Sequence, residues 1–243
     1  MHERRADTCN PGPLTIPYFS GSIVTFLPLQ NFSSNYKQMI QTAAAVNLAP
    51  LLPADADPSI LAGYRAQRDL ILNQYASPQA TVQETAFGGG NTVPIAMLKP
   101  LSRGSILINS TDPLAPPVFD YGTFMHPTDL DIAVQALKKN REWMASKPMQ
   151  EVGAVETVPG ANITTDTEIA AAIRTFASST WAHPVGTLSM MKKEFGGVVD
   201  SKLCVYGVQG LRVVDASIMP LIPATHTSST VYAVAEKVSL YLS

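Results

Sequence analysis

The amino-acid sequence predicts an α+β fold in which a mostly antiparallel sheet is flanked by helices and followed by a strand-loop-helix tail. Short β-rich runs broken by Pro and Gly come first, amphipathic helical patterns follow, and a Pro-bracketed loop precedes a last helix. With 243 residues and 46% apolar content, the chain can bury one large core or two small ones. We expect two regions, 1–180 and 181–243.

The first region is predicted to carry the strands, with one helix inserted between them. That helical stretch covers 59–75. Prolines 113, 116 and 117 force an extended connection between two of the strands, because each ring fixes its φ angle. The β-rich runs are 22–27, 92–98, 103–109 and 118–121.

Two amphipathic helices are predicted to follow the strands. Thr128 can cap the first, and Thr165 with Glu168 forms a capping-box pattern at the start of the second. Their expected core-facing residues are Leu130, Ala133, Val134, Leu137 and Met144 in the first helix and Ile169, Ala172, Ile173 and Phe176 in the second.

The second region is predicted to hold the tail. A short apolar strand covers 211–214 and ends in an acidic turn at Asp215. A loop bracketed by Pro220 and Pro223 then leads to a helix from about Ser228. The apolar stripe of that helix is Val231, Val234, Ala235, Val238 and Leu242.

Composition and charge exclude several classes of function. The net charge of −2 and the scattered basic residues provide no field to hold a phosphate backbone, so we expect no nucleic-acid partner. No apolar run reaches the roughly 18 residues that a membrane span needs. Cys9 and Cys204 lie far apart and outside any C-x-x-C pattern, which argues against a disulfide framework and a zinc site and leaves their redox state open.

The compartment is not determined by the sequence. The charged start, residues 1–7, has no apolar segment typical of a secretory signal. Glycosylation triplets nevertheless begin at Asn31, Asn109 and Asn162, and these suit a secreted parent protein.

Two of the four histidines have a sequence context that suits chemistry. Pro184 restricts the backbone of His183, and Gly186 allows close approach of a ligand or of another backbone segment. His226 lies just before the last predicted helix, where free N–H groups favour a developing anion. An imidazole accepts a proton at neutral pH more readily than other side chains. For His2 we expect a frayed end, and for His126 a surface or capping role.

Several blocks of sequence resemble the C-terminal region of glucose-methanol-choline (GMC) flavoprotein oxidoreductases, in particular fungal members of secondary metabolism. Their order and spacing make the resemblance specific, and with upstream segments at 12–15, 102–105 and 112–117 it covers nearly the whole chain. The principal blocks are 183–187 with Met190, 197–200, 207–220, and His226 with 232–237.

The resemblance implies roles for six residues. His183 would remove the hydroxyl proton of a small-molecule alcohol while the hydride passes to FAD, and His226 would hydrogen-bond the same oxygen. Asp215 and Ala216 would lie against the ribityl and diphosphate region of FAD. Thr227 and Ser228 would face the pyrimidine edge of its ring system, at the end of a tail that completes the FAD-binding domain in the family.

The sequence departs from the family in one respect. Members hold the FAD diphosphate with a G-x-G-x-x-G turn at a helix start, and none of the 15 glycines here has that spacing. The nearest candidate, Gly88-Gly89-Gly90, has Val93 where the last glycine is required. We therefore expect the N-terminal FAD-binding half to be absent and FAD not to be retained by this chain alone.

Three interpretations remain open at this point. The chain is the C-terminal portion of an FAD-dependent alcohol dehydrogenase or oxidase whose other half is missing or separate. Alternatively, it is a flavin-independent enzyme that uses His183 and His226 for acid-base chemistry such as isomerisation, dehydration or cyclisation. The third possibility is a binding remnant without catalysis.

Overall fold

The computed structural model describes residues 23–87 and 93–242 of the chain. His2, Cys9, the segment 12–15 and the glycine run 88–90 lie outside these ranges. Cys204 is half-buried and is a free thiol in the described part of the chain.

Two antiparallel sheets form the β part of the fold. In the first, β2 (Gln83–Phe87) is the central strand between β1 (Ile23–Leu27) and β3 (Ile95–Met97). The second is a pair of strands, β4 (Ser105–Leu107) and β5 (Val118–Asp120). The α+β class and the antiparallel arrangement are thus confirmed. Strands β1, β3, β4 and β5 lie within predicted runs, whereas the central strand β2 was not predicted from the sequence.

Six helices in the described part of the chain flank the sheets. The long helix α2 (Pro58–Ala76) confirms the predicted stretch 59–75, whereas sequence patterns missed α1 (Tyr36–Ala45). No helix in residues 23–87 and 93–242 is both long and apolar enough to cross a membrane. The remaining helices are α3 (Pro127–Met144), α4 (Lys147–Glu151), α5 (Asp166–Phe176) and α6 (Thr227–Leu242).

The two helix starts predicted from capping residues had different outcomes. In α5, Thr165 Oγ1 accepts a hydrogen bond from the Glu168 backbone N–H at 3.2 Å, and Glu168 Oε2 accepts one from the Thr165 N–H at 3.1 Å, which confirms the capping box. The prediction that Thr128 caps α3 was wrong. The N-cap is His126, two residues earlier, and the helix begins at Pro127 because proline suits the first helical position; Thr128 is buried inside the first turn.

Helix α3 joins two parts of the hydrophobic core. Its residues Ile132 and Ala136 pack into the main cluster, which α2 and the first sheet also line. On another face, Val134 packs against Ile169 and Ile173 of α5, as predicted, whereas Phe176 of the predicted stripe is exposed. The largest fully buried side chains of the main cluster are Tyr75, Leu29, Ile71, Leu101 and Ile132.

The predicted strand at 211–214 is reduced to a single bridge, between Cys204 and Arg212. A turn carrying two left-handed glycines folds this segment back on 203–205, so that Val205 N–H donates to Leu211 O at 3.0 Å and Val213 N–H donates to Leu203 O at 3.1 Å. These bonds satisfy backbone groups that would otherwise need the strands of another domain.

His126 is not a surface residue, contrary to the sequence-based expectation. Its side chain is fully buried, and neither ring nitrogen has a hydrogen-bond partner among the described residues. It occupies the N-cap position of α3, but only its backbone N–H is bonded, to Ser102 Oγ at 3.0 Å. Burial, reinforced by the positive charges of Arg68 and Arg103, lowers the pKa of His126 to about 4.

His126 should make the chain less stable in mild acid. The unfolded chain takes up this proton below an ordinary pKa of about 6.5, whereas the folded chain resists it down to a pKa of about 4. Stability is therefore fully present above the unfolded value and is lost as pH falls towards the folded one. We expect the free energy of unfolding in urea to fall by about 1–2 kcal/mol more between pH 7 and pH 5 in the wild type than in His126→Leu. Equal losses in the two proteins would contradict this assignment.

Candidate active site

The structure brings together the two histidines singled out from the sequence. His183 Nε2 and His226 Nδ1 lie 3.2 Å apart, although 43 positions separate the residues. The ring centroids are 5.1 Å apart and the ring planes are inclined by 48°. The facing nitrogens thus lie within hydrogen-bond distance of each other and of a common small group.

A tight loop presents His183. The His183 backbone N–H donates to Thr180 Oγ1 at 3.1 Å, and Ala182, between them, adopts a left-handed conformation with φ of 60°. Non-glycine residues rarely adopt this conformation, so the surrounding structure holds the loop in place.

Backbone pairing joins the His183 loop to the turn that precedes His226. Leu188 N–H donates to Ser217 O at 2.9 Å, and Met190 N–H donates to Ile218 O at 2.8 Å. Gly186 begins this pairing with φ of 84°, and a Cβ at this position would lie 2.9 Å from Met219 O. Only glycine meets both requirements without strain. The close approach expected at Gly186 is therefore to the chain's own backbone.

A third ionisable residue, Glu84, completes the cluster and was missed by the sequence reasoning. Its Oε1 lies 3.3 Å from His226 Nε2, and its side chain is only 3% exposed. No other described group pairs with this oxygen. Glu84 lies on the central strand β2, far from either histidine in sequence. The sequence analysis predicted neither this strand nor a role for Glu84.

Glu84 constrains the protons on His226. A buried carboxylate is stabilised by an N–H donor, which favours a proton on the facing Nε2 of His226. Two lone pairs or two N–H groups facing each other would repel, so the 3.2 Å contact between the imidazoles requires one proton between them. One proton on either of the two facing nitrogens meets this requirement.

The histidine pair lies in the wall of an open cleft of about 2110 Å³. The Trp181 ring lies nearly parallel to that of His226, at 12°, with the centroids 6.5 Å apart. The His226 side chain is 55% exposed, so one side of its ring faces the open space. Apolar side chains that line the cleft include Phe87, Ile95, Trp181, Val185 and Leu221.

The four residues expected to contact FAD lie at two places in the tail. Asp215 begins the turn Ala216–Ile218, and its carboxylate accepts hydrogen bonds from the backbone N–H and the hydroxyl of Ser217. This turn packs against α6. Thr227 and Ser228 form the start of α6, directly after His226; the first is buried and the second is exposed.

Comparisons with known proteins identify the family of the chain. A family model described as GMC oxidoreductase matches residues 100–235. Dehydrogenase xptC of Emericella nidulans is 34% identical over 214 residues, which is 87% of this chain and 34% of that protein. An FAD-dependent oxidoreductase structure from Chaetomium thermophilum has a TM-score of 0.86 and 39% identity, over 90% of this chain and 38% of that one. A fungal aryl-alcohol oxidase structure has a TM-score of 0.84 and 35% identity, over 89% and 37%.

The chain therefore spans only about a third of the length of the relatives that it matches.

The pairing that begins at Gly186 should be sensitive to an added methyl group. We expect Gly186→Ala to lower the free energy of unfolding by about 2 kcal/mol or more, because it adds a steric clash to the strain of a left-handed alanine. Gly207→Ala is the matched control, since Gly207 has φ of 79° and no atom within 4 Å of an added Cβ. Equal losses in the two variants, measured by urea unfolding, would show that the contact with Met219 O is unimportant.

Proposed function

The chain belongs to the GMC oxidoreductase family, and from that membership we propose that it is the catalytic C-terminal region of an FAD-dependent enzyme that oxidises the CH–OH group of a small-molecule alcohol. The observation that carries the proposal is the 3.2 Å contact between His183 Nε2 and His226 Nδ1. A hydroxyl oxygen placed against both nitrogens can donate its proton to one and accept a hydrogen bond from the other.

In this proposal His183 is the base. Its neutral Nε2 accepts the hydroxyl proton, while the Nδ1–H of a charged His226 stabilises the alkoxide that forms. The buried Glu84 carboxylate, 3.3 Å from His226 Nε2, balances the positive charge on that ring. Each of the three side chains thus has a distinct part in the proton transfer.

The residues present fit one end of FAD. The start of α6 offers free backbone N–H groups and the exposed Ser228 directly after His226, and a helix start favours the negative charge of a reduced flavin ring system. Thr227 and Ser228 would hold the pyrimidine edge of the flavin ring system. Asp215 and Ala216 would lie along the ribityl group that joins the ring system to the diphosphate. FAD, when bound, supplies the hydride acceptor.

A complementary FAD-binding half would cover apolar surface that this chain leaves open. Val208 and Leu211 are each 50% exposed and Tyr232 is 78% exposed, and all three belong to the tail that completes the FAD domain in the family. The cleft of about 2110 Å³ also exceeds the roughly 300–1,000 Å³ of an ordinary small-molecule pocket. Both features suit a site that a second protein segment closes.

The substrate proposed here is an apolar alcohol, because apolar and aromatic side chains line the cleft beside the histidine pair.

The proposed compartment of the parent protein is extracellular. Asn31, Asn109 and Asn162 are all solvent-exposed, which suits a glycosylated, secreted parent protein.

The isolated chain should not retain FAD. We expect the purified protein, after incubation with FAD and gel filtration, to show no stoichiometric flavin absorbance, because its sequence contains no G-x-G-x-x-G cradle for the diphosphate. Addition of the FAD-binding segment of a GMC relative should restore stoichiometric absorbance. Purified protein that carries one FAD per chain without that segment would contradict the proposal that a separate FAD-binding half is needed.

His183→Asn should abolish alcohol oxidation in the reconstituted complex. We expect the rate at which an apolar aromatic alcohol bleaches the flavin to fall by roughly 10²–10⁴-fold, because the general base is lost. His2→Asn, a change of the same type near the chain start, is the control and should leave the rate unchanged. Unchanged bleaching in His183→Asn would overturn the role of this residue. Turnover of an alcohol without flavin that disappears in His183→Asn would instead favour the acid-base alternative.

A further inference from the structure

We propose that Lys99 and Gln67 are positioning residues, which hold the loop before His226 and so set the distance between the His226 and His183 rings. Neither residue touches the histidines themselves. The proposal deepens the proposed function, since the importance of that distance rests on it, but the distance can be measured without turnover.

Lys99 holds the loop at Ile222. Its Nζ donates to the Ile222 carbonyl at 2.8 Å, and this is the only acceptor for the ammonium in the described part of the chain. Lys99 is only 8% exposed, and burial lowers the pKa of its ammonium. Because a buried cation without a partner is costly, displacement of the Ile222 carbonyl would be strongly opposed.

The backbone that carries Lys99 is itself fixed. The hydroxyl of the fully buried Tyr75 donates to the Lys99 carbonyl. Two residues further along, the Leu101 N–H donates to the buried carboxylate of Asp129 at 2.9 Å. Lys99 therefore extends from a rigid part of the sheet region to the loop.

Gln67 provides a second attachment, from helix α2. Its Nε2 donates to the Pro220 carbonyl at 2.7 Å. Between the two attached carbonyls, the side chain of Leu221 packs against the main hydrophobic cluster. Three successive residues are thus held against the region that also carries Glu84, and His226 follows only four positions after Ile222.

This arrangement explains how His226 keeps its place with a half-exposed side chain. Its ring contacts Glu84 on one side and His183 on the other, and each contact requires a ring position fixed to within a fraction of an ångström. The attachments at Pro220 and Ile222 fix the backbone from which the ring extends. Loss of either should allow the ring to move away from His183.

The test measures the distance between the rings by NMR. The whole chain is labelled selectively in histidine, of which it has four, and the nuclear Overhauser effect between the His183 and His226 ring protons is recorded. His183→Asn and His226→Asn assign the signals. The buried ring of His126, in another part of the fold, reports whether each variant is folded.

We expect Lys99→Met to weaken the cross-peak between the rings several-fold, while Lys99→Arg, which keeps a charged donor, retains most of it. Lys202→Met, at an exposed lysine, is the control and should match the wild type. Gln67→Leu should weaken the cross-peak as well, because it removes the bond to Pro220 O.

A folded Lys99→Met variant with the wild-type cross-peak would overturn the proposal, and so would an equal loss in Lys99→Arg. If Lys99→Met does not fold, Gln67→Leu provides the test. An unchanged cross-peak between the rings in Gln67→Leu would also overturn the proposal. None of these outcomes depends on flavin or on turnover, so a failure here is distinguishable from a failure of the proposed function.

Discussion

The arrangement of the site depends on the backbone pairing between 186–190 and 216–218. This pairing joins the loop that carries His183 to the turn from which the chain continues to His226. It begins where a left-handed glycine packs directly on the Met219 carbonyl, with no room for a side chain. Because the two loops are bonded to each other, each imidazole is placed relative to the other and not only relative to the core.

The burial of Glu84 and the exposure of His226 determine how charge is distributed in the site. Glu84 is almost fully buried on a central strand, whereas the His226 side chain is half-exposed. A carboxylate in such a position needs a cationic or N–H partner, and among the described residues its Oε1 pairs only with His226 Nε2, at 3.3 Å. On the buried side of the cluster, the Glu84 carboxylate favours a proton on the facing nitrogen of His226. On the exposed side, the His226 ring is open to a substrate.

The sequence was informative wherever the interaction is local. The capping box of α5 spans four residues, and the helix at 59–75 shows a regular pattern, so both could be predicted. The two histidines could be identified because their surrounding blocks resemble a known family. Glu84, Gln67 and Lys99 could not, because their partners lie more than a hundred positions away; Gln67 and Pro220, for example, are separated by 153. His126 was misjudged because its burial is a tertiary property: Arg68 and Arg103, whose charges act on its ring, lie 58 and 23 positions away.

The fold-back of 211–213 on 203–205 also bears on assembly. Its hydrogen bonds occupy one edge of the segment, and the edge at Arg212 faces away from that pairing. An open strand with two free edges can template the stacking of many chains, whereas a segment with one closed edge can accept a single neighbouring strand. An additional strand could therefore pair with this segment only along its open edge at Arg212.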